Sequence, residues 1–291
     1  MFERIRAAAR DRFQRAVDEV VDTRLTEQAD AAAAADAMAE LHAEVRELRT
    51  ELAQTRDLVD ERTHALDTLT REIDHRRRRD IAVAAETDAL TDTARFVTEH
   101  LPLAQRRPDP RATLDYALSQ VDRGLGGLAL EFGVATGATL TAIADALRGA
   151  VTVAGFDVFS GLPETWRTGF PAGEFAQDTI PDVDGADVVV GLFEDTLPGY
   201  LAEHPGPVAF AHLDADLYSS TATALTLIEP RVVAGTVLVF DEFFNYPGWR
   251  EHEYRAWQEF ADRTGCEYEY LCYTLDHEQL AVRVTALPSR E

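Results

Sequence analysis

The sequence contains no lysine, so all 28 of its basic side chains are arginines, and 52 acidic side chains outnumber them. The formal net charge is −24 over 291 residues. A field of this sign repels phosphate backbones, so nucleic acid is not expected as a partner. An acidic surface could attract a cation such as Mg²⁺.

Cysteine is also scarce, because only Cys266 and Cys272 occur in the chain. Their spacing fits no common zinc or redox motif, and two thiols make no disulfide framework, so a reducing compartment is expected. The first ten residues have scattered charges and no unbroken apolar core, unlike a secretory signal. No stretch has the length and apolarity of a membrane-spanning helix. These features predict a cytoplasmic protein.

The first third of the chain lacks helix breakers, since proline is absent before Pro102 and glycine before Gly124. Apolar side chains recur there at spacings of three and four, which predicts the seam of a coiled coil. We interpret residues 1–80 as a helical coiled-coil extension, 81–110 as a helical linker and 111–291 as the main domain. A seam needs a partner helix, and we favour a homo-oligomer over a partner enzyme or a helix folded back on its own domain. The seam positions are Leu41, Val45, Leu48, Leu52, Thr55, Val59, Arg62, Leu66, Leu69 and Ile73.

Beyond about Pro110, short apolar runs alternate with helical stretches, which predicts a mostly parallel sheet with helices on both faces. The last two strands are joined by a short turn and should form a hairpin. We therefore predict an α/β fold with a doubly wound, mostly parallel seven-stranded sheet and a C-terminal antiparallel hairpin. This layout resembles the Rossmann-like fold of class I methyltransferases. The predicted strands are 128–133, 151–157, 187–192, 208–214, 236–241, 267–274 and 279–284, and the predicted helices are 138–147, 197–204, 219–229 and 250–264.

A glycine turn, Glu131-Phe-Gly-Val-Ala-Thr-Gly137, joins the first of these strands to a helix. Such a turn lets a ligand approach the backbone closely at the carboxyl end of the sheet, but dinucleotide-binding proteins share it. The Glu131 carboxylate suits the ammonium of a methionine moiety and is awkward beside a pyrophosphate. Asp157, at the end of the next strand, is placed to bind a ribose diol or to cap a turn. We predict S-adenosylmethionine as cofactor, bound by Glu131, Phe132, Gly133, Ala135, Gly137, Asp157, Phe159, Phe193 and Asp214.

Carboxylates also follow the fourth and fifth strands, in His212-Leu-Asp-Ala-Asp216 and Phe240-Asp-Glu242. Carboxylates at adjacent strand ends converge on one crevice, where like charges need a cation or a proton. Oxygen ligands select hard ions, so Mg²⁺ is expected. The simpler alternative is that these acids cap the helices after the strands.

Four segments together resemble the macrocin O-methyltransferase family over roughly residues 110 to 286: Glu-Phe-Gly-Val-Ala-Thr-Gly, Phe-Asp-Val-Phe-Ser-Gly-Leu-Pro-Glu, His-Leu-Asp-Ala-Asp-Leu-Tyr-Ser-Ser-Thr and Phe-Asp-Glu-Phe. The resemblance implies metal-dependent methylation of a sugar hydroxyl of a natural product. It implies Asp214, Asp241 and Glu242 as metal ligands, with Glu242 where Asp or Asn is usual. Asp214 or Asp216 would be the catalytic base. For His212 a supporting role is favoured over ligation.

The long stretch from Ser160 to Gly185 is rich in Gly, Pro and Asp and contains Trp166, Phe170 and Phe175, so we predict a lid or a substrate wall. Two other functions remain open. A nicotinamide-dependent reductase is disfavoured because a chain without lysine has no Tyr-x-x-x-Lys pair. A non-catalytic coiled-coil scaffold with a vestigial methyltransferase fold is the other. The sequence does not fix the acceptor, because fold does not determine substrate.

Overall fold

The computed structural model of the protein describes residues 2–25 and 31–288. The chain divides into two units, with the boundary between Arg79 and Asp80. None of the described helices combines the length and the apolarity that a membrane span requires.

The first unit contains two helices, α1 (Phe2–Leu25) and α2 (Ala31–Arg79). Arg6 of α1 donates to the Thr63 hydroxyl over 2.9 Å and lies 3.4 Å from an Asp60 oxygen, so α1 returns along α2. Of the predicted seam, Leu41 is buried, whereas its later apolar members have exposures of 41% to 61%: Leu52, Val59, Leu66, Leu69 and Ile73. The structure therefore has the predicted helix, and the coiled coil stays a prediction.

The second unit begins with α3 (Ile81–His100), which Asp80 caps by accepting the backbone N–H of Ala82 over 3.0 Å. An Asp side chain satisfies one of the N–H groups left free at a helix start. Phe96 of this helix is buried at 3% exposure in the same apolar cluster as the strands of the sheet. The segment interpreted as a linker thus contains a helix with a side chain in the core.

An eight-stranded sheet forms the centre of the second unit, in the order β1-β7-β8-β6-β5-β2-β3-β4. All neighbours are parallel except β8, which runs antiparallel to β6 and β7. The seven predicted strands and the C-terminal hairpin are confirmed, and β1 is an additional edge strand. The strands are β1 (Gln105–Arg107), β2 (Leu128–Phe132), β3 (Thr152–Asp157), β4 (Asp187–Val190), β5 (Val208–Leu213), β6 (Val232–Phe240), β7 (Glu267–Thr274) and β8 (Leu280–Ala286).

Five helices connect these strands: α4 (Pro110–Ser119), α5 (Ala138–Leu147), α6 (Phe193–Glu203), α7 (Tyr218–Ile228) and α8 (Glu253–Thr264). Apolar clusters cover both faces of the sheet. Residues of β2 alternate between them, since Leu130 and Phe132 belong to one cluster and Ala129 to the other. Successive side chains of a strand point to opposite faces. A sheet buried on both faces leaves its strand ends as the place for a site.

Candidate active site

A cavity of about 560 Å³ opens where the strands β2 to β6 end. Its wall includes Gly133 after β2, Asp157 at the end of β3, Gly191 after β4, Asp214 after β5 and Glu242 after β6. Carboxyl ends of parallel strands lie at one edge of a sheet, so residues distant in sequence meet there.

The glycine turn packs tightly against the loop after β5. Gly133 has a φ of 94°, and a Cβ atom there would lie 1.8 Å from the carbonyl oxygen of Asp214. Only glycine fits, because the backbone is in the left-handed region and another backbone is too close. Gly137, with a φ of 79°, starts α5, and a Cβ there would lie 2.9 Å from Pro181.

Asp157 holds the glycine turn through backbone hydrogen bonds. One carboxylate oxygen accepts the N–H groups of Val134 and Ala135 over 2.8 and 2.9 Å, and the other accepts that of Phe159 over 2.7 Å. Asp157 also lines the cavity. Asp157 therefore caps the turn in the structure, and it also stands at the cavity where a ribose ligand is expected.

Glu131 does not line the cavity. It is fully buried in β2, and its Oε1 atom is 2.9 Å from Nδ1 of His212 on the paired strand β5. Its Oε2 atom has no hydrogen-bond partner. Burial raises the pKa of Glu131, while the hydrogen bond from His212 opposes this rise.

The predicted cofactor residues therefore fall into two groups. Those that line the cavity are Gly133, Ala135, Asp157, Phe193 and Asp214. Those outside the lining are Glu131, Phe132, Gly137 and Phe159; Phe132 is buried in the core, where its ring lies 5.2 Å from that of Phe193.

The predicted metal and catalytic residues gather at the other side of the cavity. Asp214, Asp216 and Glu242 line it, and Asp241 lies next to them with a side chain that is 25% exposed. Ligand atoms of His212, Asp214 and Asp241 lie within 4.8 Å of one another. The structure thus brings the carboxylates together as expected and places a histidine among them.

The carboxylates differ in pKa because their partners differ. Burial, and then the neighbouring Asp241, raises the pKa of Asp214 well above its usual value. Burial likewise raises the pKa of Glu242, whose Oε2 atom has no hydrogen-bond partner. Burial alone would raise the pKa of Asp241 too, but the neighbouring His212, and a hydrogen bond from Gln279 over 3.1 Å, lower it. For His212, burial lowers the pKa, and Asp241 and Glu131 raise it by more.

Asp216 is held in an unusual backbone conformation, with a φ of 58° and 9% exposure. Burial raises the pKa of Asp216 to about 7, and the charge of Arg167 opposes that rise. A carboxylate whose pKa lies near neutrality is suited to accept a proton at the pH of the cell.

Three charged residues of the site had not been predicted: Arg167, Glu253 and Glu278. Arg167 donates to both Glu278 oxygens over 3.2 Å, and its guanidinium lies 3.9 Å from the centre of the Trp166 ring and 4.4 Å from that of Tyr246. This joins the stretch 160–185 to the turn between β7 and β8. Trp166, Phe170 and Phe175 line the cavity, in agreement with a substrate wall.

Glu253 is fully buried at the start of α8 and accepts the backbone N–H of Glu242 over 2.9 Å. It also lies 3.4 Å from the hydroxyl of Thr221. Burial raises the pKa of Glu253. The sequence offers one signal for the burial of Glu253, because helical spacing puts it on the same face of α8 as the buried Trp257.

The sheet order and the strand-end cavity are those of the class I, Rossmann-like methyltransferase fold. Residues 130–243 match the family model of a methyltransferase domain. The match spans the glycine turn, Asp157, Asp214 and Glu242, and it indicates a methyltransferase that uses S-adenosylmethionine. A comparison with curated proteins finds no match.

Several solved structures are similar to this chain. The calicheamicin methyltransferase CalS11 is 25% identical over 70% of this chain and 93% of its own, with a TM-score of 0.48. The O-methyltransferase NovP is 22% identical over 59% of this chain and 79% of its own, with a TM-score of 0.44. An O-methyltransferase from Bacillus cereus in complex with SAH is 14% identical over 73% of this chain and 96% of its own, with a TM-score of 0.38.

Proposed function

We propose that this methyltransferase transfers a methyl group to a hydroxyl of a small molecule, a sugar or another natural product, with the help of a divalent ion such as Mg²⁺. The observation that carries the proposal is that Asp214 and Asp216 line the same cavity as the glycine turn at Gly133. A cofactor at the turn and an acceptor hydroxyl at the carboxylates would therefore share one enclosed space. Proximity of this kind is a large part of catalysis when the methyl donor is already activated.

The cofactor residues have distinct roles in this proposal. S-adenosylmethionine, when bound, supplies an electrophilic methyl group on a positive sulfur. Gly133 and Ala135 let it approach the backbone, and Asp157 would contact the ribose with the lone pairs that its backbone hydrogen bonds leave. Phe193 would lie against the adenine, because it lines the cavity at the start of α6. Glu131 would act from outside the cavity lining.

The residues present fit a divalent ion. Glu242 is nine-tenths buried with an unpartnered Oε2 atom, and Asp214 and Asp241 are close enough to raise the pKa of Asp214. Buried carboxylates without a counter-charge are costly, and a cation would relieve that cost. Asp214, Asp241 and Glu242 would hold the ion. Once bound, the ion would supply Lewis acidity that lowers the pKa of an acceptor hydroxyl.

Asp216 is the proposed base, because it lines the cavity and burial raises its pKa to about 7. It would take the hydroxyl proton as the acceptor oxygen forms its bond to the methyl carbon and the carbon–sulfur bond breaks. Asp214 is the alternative base. The aromatic side chains Trp166, Phe170 and Phe175 would form the wall against which a sugar ring or planar acceptor packs.

The test measures S-adenosylhomocysteine formation with a panel of hydroxylated acceptors, beginning with TDP-rhamnose because CalS11 is a TDP-rhamnose 3′-O-methyltransferase. Asp241→Ala should abolish transfer and leave S-adenosylhomocysteine affinity nearly intact. Asp262→Ala is the matched control, since Asp262 is exposed on α8. Full transfer in EDTA would exclude the ion, and transfer to nitrogen or carbon acceptors alone would exclude O-methylation.

We also propose that α2 mediates self-association and that the protein works in the cytoplasm. The exposed apolar residues Leu52, Val59, Leu66 and Ile73 recur every seven residues, which is the spacing of a coiled-coil seam. Both cysteines are free and buried, in keeping with a reducing compartment. Sedimentation of the full chain should show an oligomer that the double variant Val59→Asp, Leu66→Asp converts to a monomer. An unchanged mass would refute the seam.

A further inference from the structure

We propose that His212 is a nitrogen ligand of the divalent ion, and that Glu131 holds its ring in position. This goes beyond the oxygen ligands Asp214, Asp241 and Glu242 and rests on the proposed presence of an ion in the function above. It also gives Glu131 a task, although this residue does not line the cavity.

The contact with Glu131 determines which nitrogen of His212 is free. Nδ1 lies 2.9 Å from Oε1 of Glu131, and the two residues are paired in register on β5 and β2. An imidazole must be neutral to bind an ion, and an ionised carboxylate can only accept, so its one remaining proton would stay on Nδ1. Nε2, on the side of the ring toward Asp241, would then have the lone pair. A carboxylate that orients a histidine in this way is the usual outer partner of a metal-bound imidazole.

Nε2 of His212 lies 3.6 Å from Oδ1 of Asp241. This is too long for a hydrogen bond of good geometry. Two ligand atoms that share one ion at bonds of about 2.1 Å lie about 3.0 to 3.5 Å apart for right-angled to tetrahedral arrangements. The distance is longer than a hydrogen bond of good geometry and lies just above the range for two ligands of one ion. Asp214 provides a third ligand atom within 4.8 Å of the other two.

The site also has a buried polar atom without a partner. Glu242 is nine-tenths buried, lines the cavity and has an unpartnered Oε2 atom. Buried polar atoms are nearly always hydrogen-bonded or bound to an ion, so such exceptions need an explanation. An ion bound by His212, Asp214 and Asp241 lies next to Glu242 and would draw its free oxygen into the coordination shell.

A nitrogen ligand has a consequence for the choice of metal. Carboxylate oxygens suit Mg²⁺ and Ca²⁺, whereas imidazole shifts preference toward first-row transition ions. We therefore expect the protein to bind Mn²⁺ or Co²⁺ more tightly than Mg²⁺ or Ca²⁺, by a margin that shrinks when His212 is replaced.

The experiment adds Mn²⁺ alone to the chelator-treated full-length protein and records pulsed electron paramagnetic resonance. A nitrogen bound to Mn²⁺ gives echo modulations that oxygen ligands do not give. We expect these modulations in the native protein and in His277→Asn, a control histidine on the cavity wall, and their loss in His212→Asn. Glu131→Gln should weaken Mn²⁺ binding about 10- to 100-fold, as changes to the outer partner of a metal-bound histidine do.

Binding of S-adenosylhomocysteine and the circular dichroism spectrum show whether each variant is folded. The modulations of the native protein test the nitrogen ligand even if a variant does not fold. Bound Mn²⁺ without nitrogen modulations would overturn the proposal. The proposal would also be overturned if a folded His212→Asn variant bound Mn²⁺ with native affinity while the Glu242→Gln variant bound it more weakly. Both results leave O-methylation with an oxygen-bound ion intact. If the native protein does not bind Mn²⁺, both this proposal and the metal part of the proposed function are overturned. Methyl transfer itself is tested by the separate assay of S-adenosylhomocysteine formation.

Discussion

Replacement of Gly133 by alanine tests whether the glycine turn depends on close contact with the loop after β5. A Cβ atom at this position would lie 1.8 Å from the Asp214 carbonyl oxygen, and the φ of 94° is in the left-handed region. Gly149 is a matched control, because its φ is 76° and nothing lies within 4 Å of a Cβ atom there. Gly149→Ala therefore introduces the backbone strain without the collision.

The strain of a left-handed alanine is about 1–2 kcal/mol, and both variants should have it. In Gly133→Ala the Asp214 carbonyl must also move. The N–H of Asp214 donates to the Phe132 carbonyl over 2.9 Å, and loss of such a bond costs about 0.5–1.5 kcal/mol or more if the groups stay buried. We expect Gly149→Ala to lower the free energy of unfolding by about 1–2 kcal/mol and Gly133→Ala to lower it by about 2–4 kcal/mol.

Urea unfolding followed by tryptophan fluorescence measures these differences, since Trp166, Trp249 and Trp257 all belong to the second unit. Calorimetric titration with S-adenosylhomocysteine should show lost affinity in Gly133→Ala and native affinity in Gly149→Ala. Equal stability and equal affinity of the two variants would refute the argument that the turn and the Asp214 loop are fixed against each other.

Two further predictions concern contacts that hold the second unit together. Glu253→Leu leaves the buried N–H of Glu242 unpaired, whereas Glu253→Gln keeps an acceptor oxygen. The free energy of unfolding, measured in urea, should therefore be about 1–3 kcal/mol lower for Glu253→Leu than for Glu253→Gln. Identical urea midpoints of the two variants would show that the bond is dispensable. The hydrogen bond from Arg250, with Nε at 2.7 Å, lowers the pKa of Asp92, so the pair stabilises the fold above the unfolded pKa and loses this effect as pH falls through the folded one. Asp92→Asn should cost less than about 1 kcal/mol at neutral pH, because the pair is partly exposed, and nothing in acid; a Tm difference that does not shrink in acid would contradict this.

Central strands such as β5 could be predicted because a parallel strand covered on both faces needs a near-continuous apolar run, and Val208–Leu213 is fully buried. β1 could not be predicted in the same way. It has three residues, Gln105–Arg107, two of them exposed, and exists through its pairing with β7, which is more than 160 residues later in the chain. A short polar edge strand has no periodic signal of its own. Its conformation comes from a tertiary partner.

The convergence of Asp157, Asp214 and Glu242 on one cavity could be predicted, because topology alone brings the carboxyl ends of parallel strands together. Which side chains face that cavity could not. Glu131 has the acidic chemistry expected of a cofactor ligand, but the strand register brings its Oε1 atom to His212. Glu253 reaches the site from α8, and its contact with Glu242 depends on how that helix packs.

Asp157 shows why a residue type in the right place does not settle a role. The sequence left it as a ribose ligand or a turn cap, and its two oxygens accept three backbone N–H groups while the residue lines the cavity. A carboxylate has about four acceptor sites, so roughly one remains for a ligand. The two roles can therefore coexist, although both use the lone pairs of the same carboxylate. A ribose bound here would either share an oxygen with the turn or displace one of its N–H groups, and in the second case cofactor binding would loosen the glycine turn that Asp157 now holds.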